Sequence, residues 1–539
     1  MRQRMPFKLF VGLVSIGCLL LLTVTACAAP SGPGAQSSEA PKGPSGKAVV
    51  ALSPQTTATV DPALNGGASD FINLEALYNR LFETPKDSLK LEPGLATKWI
   101  MGPDGKTFEF QIRKGVKFHN GDEMTPEDVV FSVQRMGRIG LPTTKASYER
   151  FVDRVEAKGE SVIFYLKEPN WNYHSDAAGY SIVPKNYIEK VGDDGFLKAP
   201  VGTGPFKFVS WSKQEYLELE AVDYQHFLWE PGVKQLRYVI VPEETTRLAM
   251  IRTGEADLAQ ISVTSLKAMA GDGKLRAIKI PDIGGLWLYT FGQHDPQNPL
   301  SKLQVRQALS LSIDREAIAK GIYQGYARPI ATGVWNSAQE GWPEWGFDAP
   351  KLDLEKAKTL LDQAGYPGGQ GLKITLHNYE YGALPLWTQV APVIATQWGK
   401  LGVKVELRQW TWDSWAPAAR SGKLDPVSIG THIGYLSGQK GLVNWFTTTG
   451  SYAHAFGVAK EEGAHKELSE MAEQFDRELN PTKRAELLNK IQIYIRDNVV
   501  NIPVVGQDGL WAGGPRLLEY TPRPGTITSG NVWTIKVKG

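Results

Sequence analysis

The sequence predicts an α/β protein of two lobes, and three observations lead there. The chain has 539 residues, more than one domain at the usual size of about 150 residues each. Strand and helix patterns are mixed along it without the regular alternation of a barrel or of a single doubly wound sheet. Of the 2 cysteines, Cys18 lies inside an apolar leader and Cys27 at its end. No disulfide is left for the mature fold, which must rest on its own core. A chain of this length can build one by burying roughly three quarters of its unfolded surface.

The leader comes first. Arg2, Arg4 and Lys8 introduce an apolar run from Leu9 to Val24, the basic and apolar regions of a secretory signal. The run is shorter than the about 20 residues a bilayer span needs, and small residues stand before Cys27, so a leader is expected over residues 1–26 rather than a membrane helix. Val24-Thr25-Ala26-Cys27 resembles the lipobox of bacterial lipoproteins, in which cleavage frees the cysteine amino group and the thiol receives a diacylglycerol. Residues 27–47 then read as the lipidated Cys27 and a flexible tether. Pro30, Pro33, Pro41 and Pro44 are spaced through it, and as a random coil it would span on the order of 25 Å. An extracytoplasmic body, in the periplasm or on the cell surface, is expected to be anchored to the membrane by that lipid.

Composition narrows the function. The formal charge is +2, and removing the three positive residues of the leader leaves 2 − 3 = −1, so no nucleic-acid partner is expected. The 16 tryptophans supply flat apolar area suited to large cores and to clefts for small organic ligands.

Along the body, Pro103-Asp104-Gly105 marks a turn, and Phe108, Phe110 and Ile112 then alternate with polar residues as a strand with one wet face. Thr125 caps a helix with Pro126 at its first position, Asp128 three residues after the cap, and Val129, Val133 and Met136 on one side. Strands are expected over 161–166, 216–222 and 237–241, with a helix over 244–254 that Gly254 ends. Asp353 caps a helix carrying Leu354, Ala357, Leu361 and Ala364; Asn480 with Pro481 opens another carrying Leu487, Leu488, Ile491 and Ile495. Trp387, Val390, Ile394, Trp398 and Leu401 form a helical stripe that Pro392 interrupts, which demands a kink or a later start. Val403, Val405 and Leu407 alternate as a strand.

Enzyme motifs are missing. Gly105-Lys106-Thr107 ends like a phosphate loop, but Ile100 stands where the first glycine belongs. Gly202-Thr203-Gly204 is followed by Pro205 and Phe206 where a dinucleotide-binding helix should open, so a bend between lobes is the better reading. The eight histidines form no His-x-x-x-His spacing, and no Gly-x-Ser-x-Gly elbow occurs. No catalytic residue, metal or cofactor is therefore assigned. Aromatic clusters remain at Trp287, Tyr289 and Phe291, at Trp335, Trp342 and Trp345, and at Trp410, Trp412 and Trp415. Trp410 and Trp412 share a face if they extend the preceding strand.

The block Leu91-Glu92-Pro93-Gly94-Leu95-Ala96-Thr97-Lys98-Trp99, continuing through Asp104 to Phe110 and Arg113 to Gly121, resembles bacterial extracellular solute-binding proteins of family five. That is the dipeptide, oligopeptide and nickel binding group of ATP-binding cassette (ABC) importers. The likeness continues in Pro200 to Phe206, Gly254 to Asp257, Val305 to Ser310, Ile313 to Arg315 and Ala357 to Tyr366. It implies a two-lobed periplasmic-binding-protein fold of type II, the "Venus flytrap", with an additional domain and two crossovers between lobes. The expected division is lobe I over 48–86, 200–295 and 505–539, the additional domain over 87–199, and lobe II over 296–504. It also implies a monomeric, non-enzymatic receptor that encloses a peptide-like or other small organic solute and delivers it to the permease subunits of an ABC importer. A solute sensor or chaperone-like lipoprotein without transport is the second reading, and an exported hydrolase the third.

Peptide-binding members hold the peptide amine with an acidic residue in a Gly-Trp-x-x-Asp-Tyr-like segment. Here the chain reads Pro426 to Tyr435 without that aspartate, and Gly292 replaces the family's usual Asn, so an ordinary cationic peptide amine would be poorly compensated. Tyr289, Trp410, Trp412, Tyr435 and Trp445 are the expected cleft wall. Gln55 and Asn65 are the expected polar groups, on loops after the first strand.

Overall fold

The computed structural model describes residues 44–54, 59–64, 71–88, 90–331, 348–381, 384, 386–424, 426–433, 442, 445–448, 450, 452–459, 463–525 and 530–539. The body opens with β1 (Lys47–Leu52). A separate antiparallel sheet follows, built from β2 (Ala96–Met101), β3 (Thr107–Ile112), β4 (Val152–Lys158) and β5 (Ser161–Leu166) in the order β2-β3-β5-β4. Helices α1 (Pro126–Ile139) and α2 (Pro142–Phe151) lie between β3 and β4, and α3 (Lys185–Lys198) comes last in this region. The middle of the chain supplies β6 (Phe206–Ser212), β7 (Tyr216–Ala221), β8 (Gln235–Ile240), α4 (Glu244–Thr253), β9 (Leu258–Ile261), β10 (Arg276–Thr290) and β11 (Ala327–Pro329). Next come α5 (Leu354–Gln363), β12 (Lys373–Glu380), α6 (Trp387–Gly399), β13 (Lys404–Thr411), α7 (Trp412–Arg420) and β14 (Val427–Ile433). The last labelled elements are α8 (Lys466–Arg477), α9 (Pro481–Asp497) and β15 (Asn501–Gly513).

Local chemistry explains where these elements begin. The alternation in β3 buries Phe108, Phe110 and Ile112 against their own small core, and Gly105 supplies the φ of +66° that the preceding turn needs. At the start of α1 the Thr125 N–H donates to Asp128 Oδ2 at 2.8 Å, while Asp128 Oδ1 accepts from the Lys185 N–H and so fixes the start of α3 as well. Asp353 Oδ1 accepts from Lys356 N, and Asn480 Oδ1 from Thr482 N and Lys483 N, as their cap positions require. Pro392 stands inside an unbroken α6, contrary to the expected kink or later start. The Thr388 carbonyl, which a residue with an N–H at 392 would have served, accepts instead from Asn378 Nδ2 at 3.1 Å. A side chain from β12 thus takes over the bond that proline removes.

The large sheet runs β13-β12-β14-β10-β15-β9-β1-β8-β7-β6, with β11 beside β15. Its centre is a long antiparallel ribbon of β10 and β15. At one end Arg276 to Ile280 face Gly513 to Gly509, and β15 there also pairs with β9. At the other end Gly284 to Tyr289 face Gln507 to Asn501, and β10 there pairs with β14. Register breaks between Ile280 and Gly284. The two halves of the sheet are therefore spliced through a bulged ribbon, and the chain passes from one half to the other in β10 and back in β15. Asp282 in the bulge adopts φ +56°, and its N–H donates to Asp508 Oδ1 at 2.9 Å. Lys279 Nζ reaches Asp508 Oδ2 at 2.6 Å, and Arg328 of β11 reaches Asp282 at 3.0 Å.

The four-stranded sheet packs on the β1 half through a buried ion pair. Arg135 of α1 clamps Asp61 with two bonds of 2.8 and 2.6 Å, both side chains being 1% exposed. Gly202 and Gly204 press on the end of the helix before them in space: a Cβ on either would stand 2.1 or 2.3 Å from the carbonyl oxygens of Leu77 and Ala76. Two histidines hold this seam. His119 Nδ1 accepts from Gly202 N at 3.2 Å and its Nε2 faces Gly204 O at 2.9 Å. His226 Nδ1 accepts from Leu228 N and Trp229 N, and its Nε2 faces Thr203 O at 2.9 Å. Each ring thus accepts on one nitrogen and donates from the other, which only the neutral form can do.

Burial, the larger cause, pushes both histidines down to about 4. An imidazole freed by unfolding takes up its proton near pH 6.5, the folded ones only near 4, so the unfolded state gains protons first as the medium acidifies. Stability should be at its full value above pH 6.5 and be lost progressively toward pH 4, by on the order of 3 kcal/mol for buried His226. Urea unfolding between pH 7.5 and 4.5 checks this, and His226→Gln should flatten the slope. An unchanged slope would remove His226 from the account.

Candidate functional site

Rings from several elements meet on one face of the β12 half. Tyr289 of β10 lies opposite Ser428 of β14 and Asn501 of β15, so the three side chains share a face. Trp415 of α7 covers that face, its indole N–H donating to Ser428 Oγ at 2.7 Å and its ring stacking on Tyr289 at 5.9 Å. Tyr452 stacks on Tyr289 at 6.0 Å, and Phe456 meets it edge-on at 5.3 Å. Gly430 is required here, because a Cβ would stand 2.4 Å from Cε2 of the Tyr289 ring. Among the described residues the buried amide of Asn501 has no hydrogen-bond partner on either atom.

A second layer extends from β12. Tyr379 stacks on Trp415 at 4.0 Å and lies 4.8 Å from Trp387. Trp412 sits among Tyr381, Trp415 and Tyr379 at 5.2, 5.4 and 5.5 Å. Trp410 donates its indole N–H to His377 Nδ1 at 2.9 Å, which leaves the His377 proton on Nε2. Such a surface offers dispersion and stacking to flat or apolar groups.

The expected wall residues separate by depth. Tyr289 and Trp445 are each 2% exposed and enclosed by other rings; Trp445 meets Trp287 edge-on at 5.6 Å. Trp410 and Trp412 are half-buried and keep ring area facing outward. They do not share a strand face, because β13 ends at Thr411 and Trp412 is the first residue of α7. Thr411 is extended there, and its carbonyl and hydroxyl both bond Ser414 Oγ, which turns the chain into the helix; both indoles still stand on the Tyr379 side of β12, Trp410 on His377 and Trp412 on Tyr379 and Tyr381. Gln55, Asn65, Tyr435 and Cys27 lie outside the described residues. His377, Tyr379, Tyr381 and Asn501 were not singled out in the sequence. The two tyrosines alone carried a signal, their spacing of two residues at the end of a strand-like run.

Among the described residues no group of three His, Cys, Asp or Glu side chains could hold a metal ion, and no helix is long and apolar enough to cross a membrane.

Comparison with known proteins accounts for the architecture. Residues 90–453, more than half of the chain, match the model of bacterial extracellular solute-binding proteins, family 5 Middle. Heme-binding protein A of Haemophilus influenzae is 27% identical over 492 residues, covering 85% of this chain and 86% of its own. A dipeptide-binding protein of Escherichia coli is 28% identical over 459 residues, covering 78% and 82%. Among solved structures, the ABC transporter substrate-binding protein CtaP of Listeria monocytogenes has a TM-score of 0.78 at 21% identity, over 92% of this chain and 99% of its own. AgaA of A. tumefacien R10, in complex with agropinic acid, has a TM-score of 0.74 at 23% identity over the same shares.

Gly430→Ala tests the packing under Tyr289. The added methyl must displace the ring and its stacked neighbours, a loss of about 1–3 kcal/mol in urea unfolding. Wild-type stability in this variant would show that the ring shifts freely.

Proposed function

The chain belongs to the bacterial extracellular solute-binding proteins of family 5, and on that premise we propose that it is the lipid-tethered solute receptor of an ABC importer. It acts outside the cytoplasm, captures a small solute between its two sheet halves, and delivers it to the permease. The observation that carries this reading is the bulged β10–β15 ribbon, the route by which the chain passes from one half to the other and back. Bending at the bulge lets the halves open when empty, and contacts from a solute to both halves reward closure. Recognition of the closed form by the permease then needs no bond made or broken in the solute, so the protein works as a receptor and not as an enzyme.

Within this reading residues 48–86, 200–280 and 508–539 act as lobe I, 87–199 as an additional domain and 284–507 as lobe II, with the boundaries taken at the bulge rather than at the expected 295 and 505. The half-buried Trp410 and Trp412 line the cleft and the enclosed Tyr289 and Trp445 form its floor; Tyr435, expected in the wall, and Gln55 and Asn65, expected as polar groups, are further candidate contacts. The segment 426–435 has no acidic residue to meet a peptide amine. A peptide-like or other organic solute with little positive charge suits it best; relatives are named for heme as well as for dipeptides, and a neighbour holds agropinic acid.

Mass spectrometry of what co-purifies with the native protein should identify one solute class. Peptides, opines, sugars and chelated metals can then be ranked by thermal shift, since a ligand at a hundred times its Kd adds about 2.7 kcal/mol. Recovery of cleaved solute only would overturn the receptor reading. Replacing both Trp410→Ala and Trp412→Ala should weaken binding of the identified solute by tenfold or more with cooperative unfolding retained; unchanged affinity would take both indoles out of the cleft. Cys27→Ser should release the protein from the membrane fraction and lower solute uptake while leaving its affinity as it was.

A further inference from the structure

We infer that the four-stranded domain is a clasp: it reaches from the β1 half to the α8–α9 hairpin of the other half and holds the receptor closed by contacts that involve no solute. The inference rests on the two-lobed receptor reading and concerns how that receptor is regulated.

The domain is bolted to the β1 half by Asp61–Arg135 and by the His119 seam described above. The α8–α9 hairpin is bolted to the opposite half. His465, just before α8, faces Gln293 Oε1 at 2.8 Å, and Arg306 donates to the Asn498 carbonyl after α9. Between these two anchored parts Trp171 is the centre. Its indole N–H donates to the Phe475 carbonyl at 3.2 Å, and its ring meets the Phe475 ring edge-on at 5.8 Å. The Arg484 guanidinium lies 4.0 Å over the same indole ring, already held in place by donating to the Leu479 and Glu478 carbonyls.

Around Trp171 the fit continues. The tip of Leu479 presses on the turn before β3, where a Cβ on Gly105 would stand 2.5 Å from Leu479 Cδ2. Arg150 of α2 reaches buried Asp476 at 3.7 Å and Thr447 Oγ1 at 3.5 Å, and Arg477 pairs with Glu168 at 2.9 Å on the rim. Gly105 therefore has two duties, the positive φ of its own turn and the seat for Leu479, 374 positions later in the chain.

Every one of these contacts must part if the halves swing open at the bulge. The clasp thus raises the closed fraction of the empty receptor, and the apparent affinity for solute rises in proportion to that fraction.

The test is small-angle X-ray scattering of protein freed of solute, on Trp171→Ala, Arg484→Ala and the double variant. The radius of gyration should increase in each single variant and no further in the double, with the closed-to-open ratio falling roughly tenfold. Because Trp171 supports packing, the exposed rim pair gives a second reading. Glu168→Arg should open the protein, and adding Arg477→Glu should close it again with an unchanged melting curve. Identical scattering in all variants, or a wild type as extended as they are, overturns the clasp. Since no solute is used, failure of the receptor reading would appear separately, as a clasp that responds to mutation in a protein that no solute closes further.

Discussion

The ribbon of β10 and β15 is the constraint on which the rest of this protein depends. Were its register unbroken, ten strands and the strand β11 would form one continuous ladder; the interruption between Ile280 and Gly284, with a second register shift between Leu286 and Trp287, breaks it between the two halves of the sheet. Three features make the break. Pro281 has no N–H for the ladder, Asp282 sits at a positive φ, and Gly284 follows at φ 158°. A ladder interrupted in this way is soft to bending yet must not melt. Asp508 spans the break by accepting from the Asp282 N–H and pairing with Lys279, which puts charge-assisted bonds where ladder bonds are lost.

The aromatic face follows from where the ribbon ends. Tyr289 stands near the far end of β10, flanked by β14 and β15, and only small or narrow neighbours leave room for its ring: Gly430 diagonally and Ser428 beside it. Trp415 then closes over it and satisfies its own indole on Ser428. A floor made in this way is rigid, because each ring is held on more than one side. Beside it Trp412 packs on Trp415, Tyr379 and Tyr381, and Trp410 is held by its bond to His377, so in the proposed cleft little conformational freedom would remain to be lost on binding.

Local signals in the sequence carry through to the structure, whereas contacts across the chain leave little trace in it. The strand at Thr107–Ile112, the Thr125 and Asn480 caps and the helix after Asp353 each depend on residues within one or two turns of chain, and each is where its pattern put it. The helix through Pro392 defied its pattern because Asn378, on a different strand, supplies a bond that no local reading contains. Trp412 opens a helix for a related reason, since alternation cannot tell a strand that continues from one that Thr411 and Ser414 convert into a helix. That aromatics would cluster was legible. Which of them form floor and which form wall depends on the pairing of β10 with β14 and β15 across more than a hundred residues, and period and spacing are silent on that.

A soft hinge and a solute-free clasp set a limit on each other. A solute can shift the closed population only by its differential contacts, and a receptor already closed when empty would present the same face to its permease loaded or not. The clasp must therefore be weak enough to yield. Its composition fits that demand: one half-buried indole, a guanidinium over it, a rim pair of side chains 51% and 56% exposed, and a single buried carboxylate at 3.7 Å from its arginine. Exposed pairs contribute about 0–1 kcal/mol, whereas the Asp61–Arg135 clamp on the fixed side is 1% exposed and bidentate. Strong contacts thus join parts that move together, and weak ones join parts that must separate.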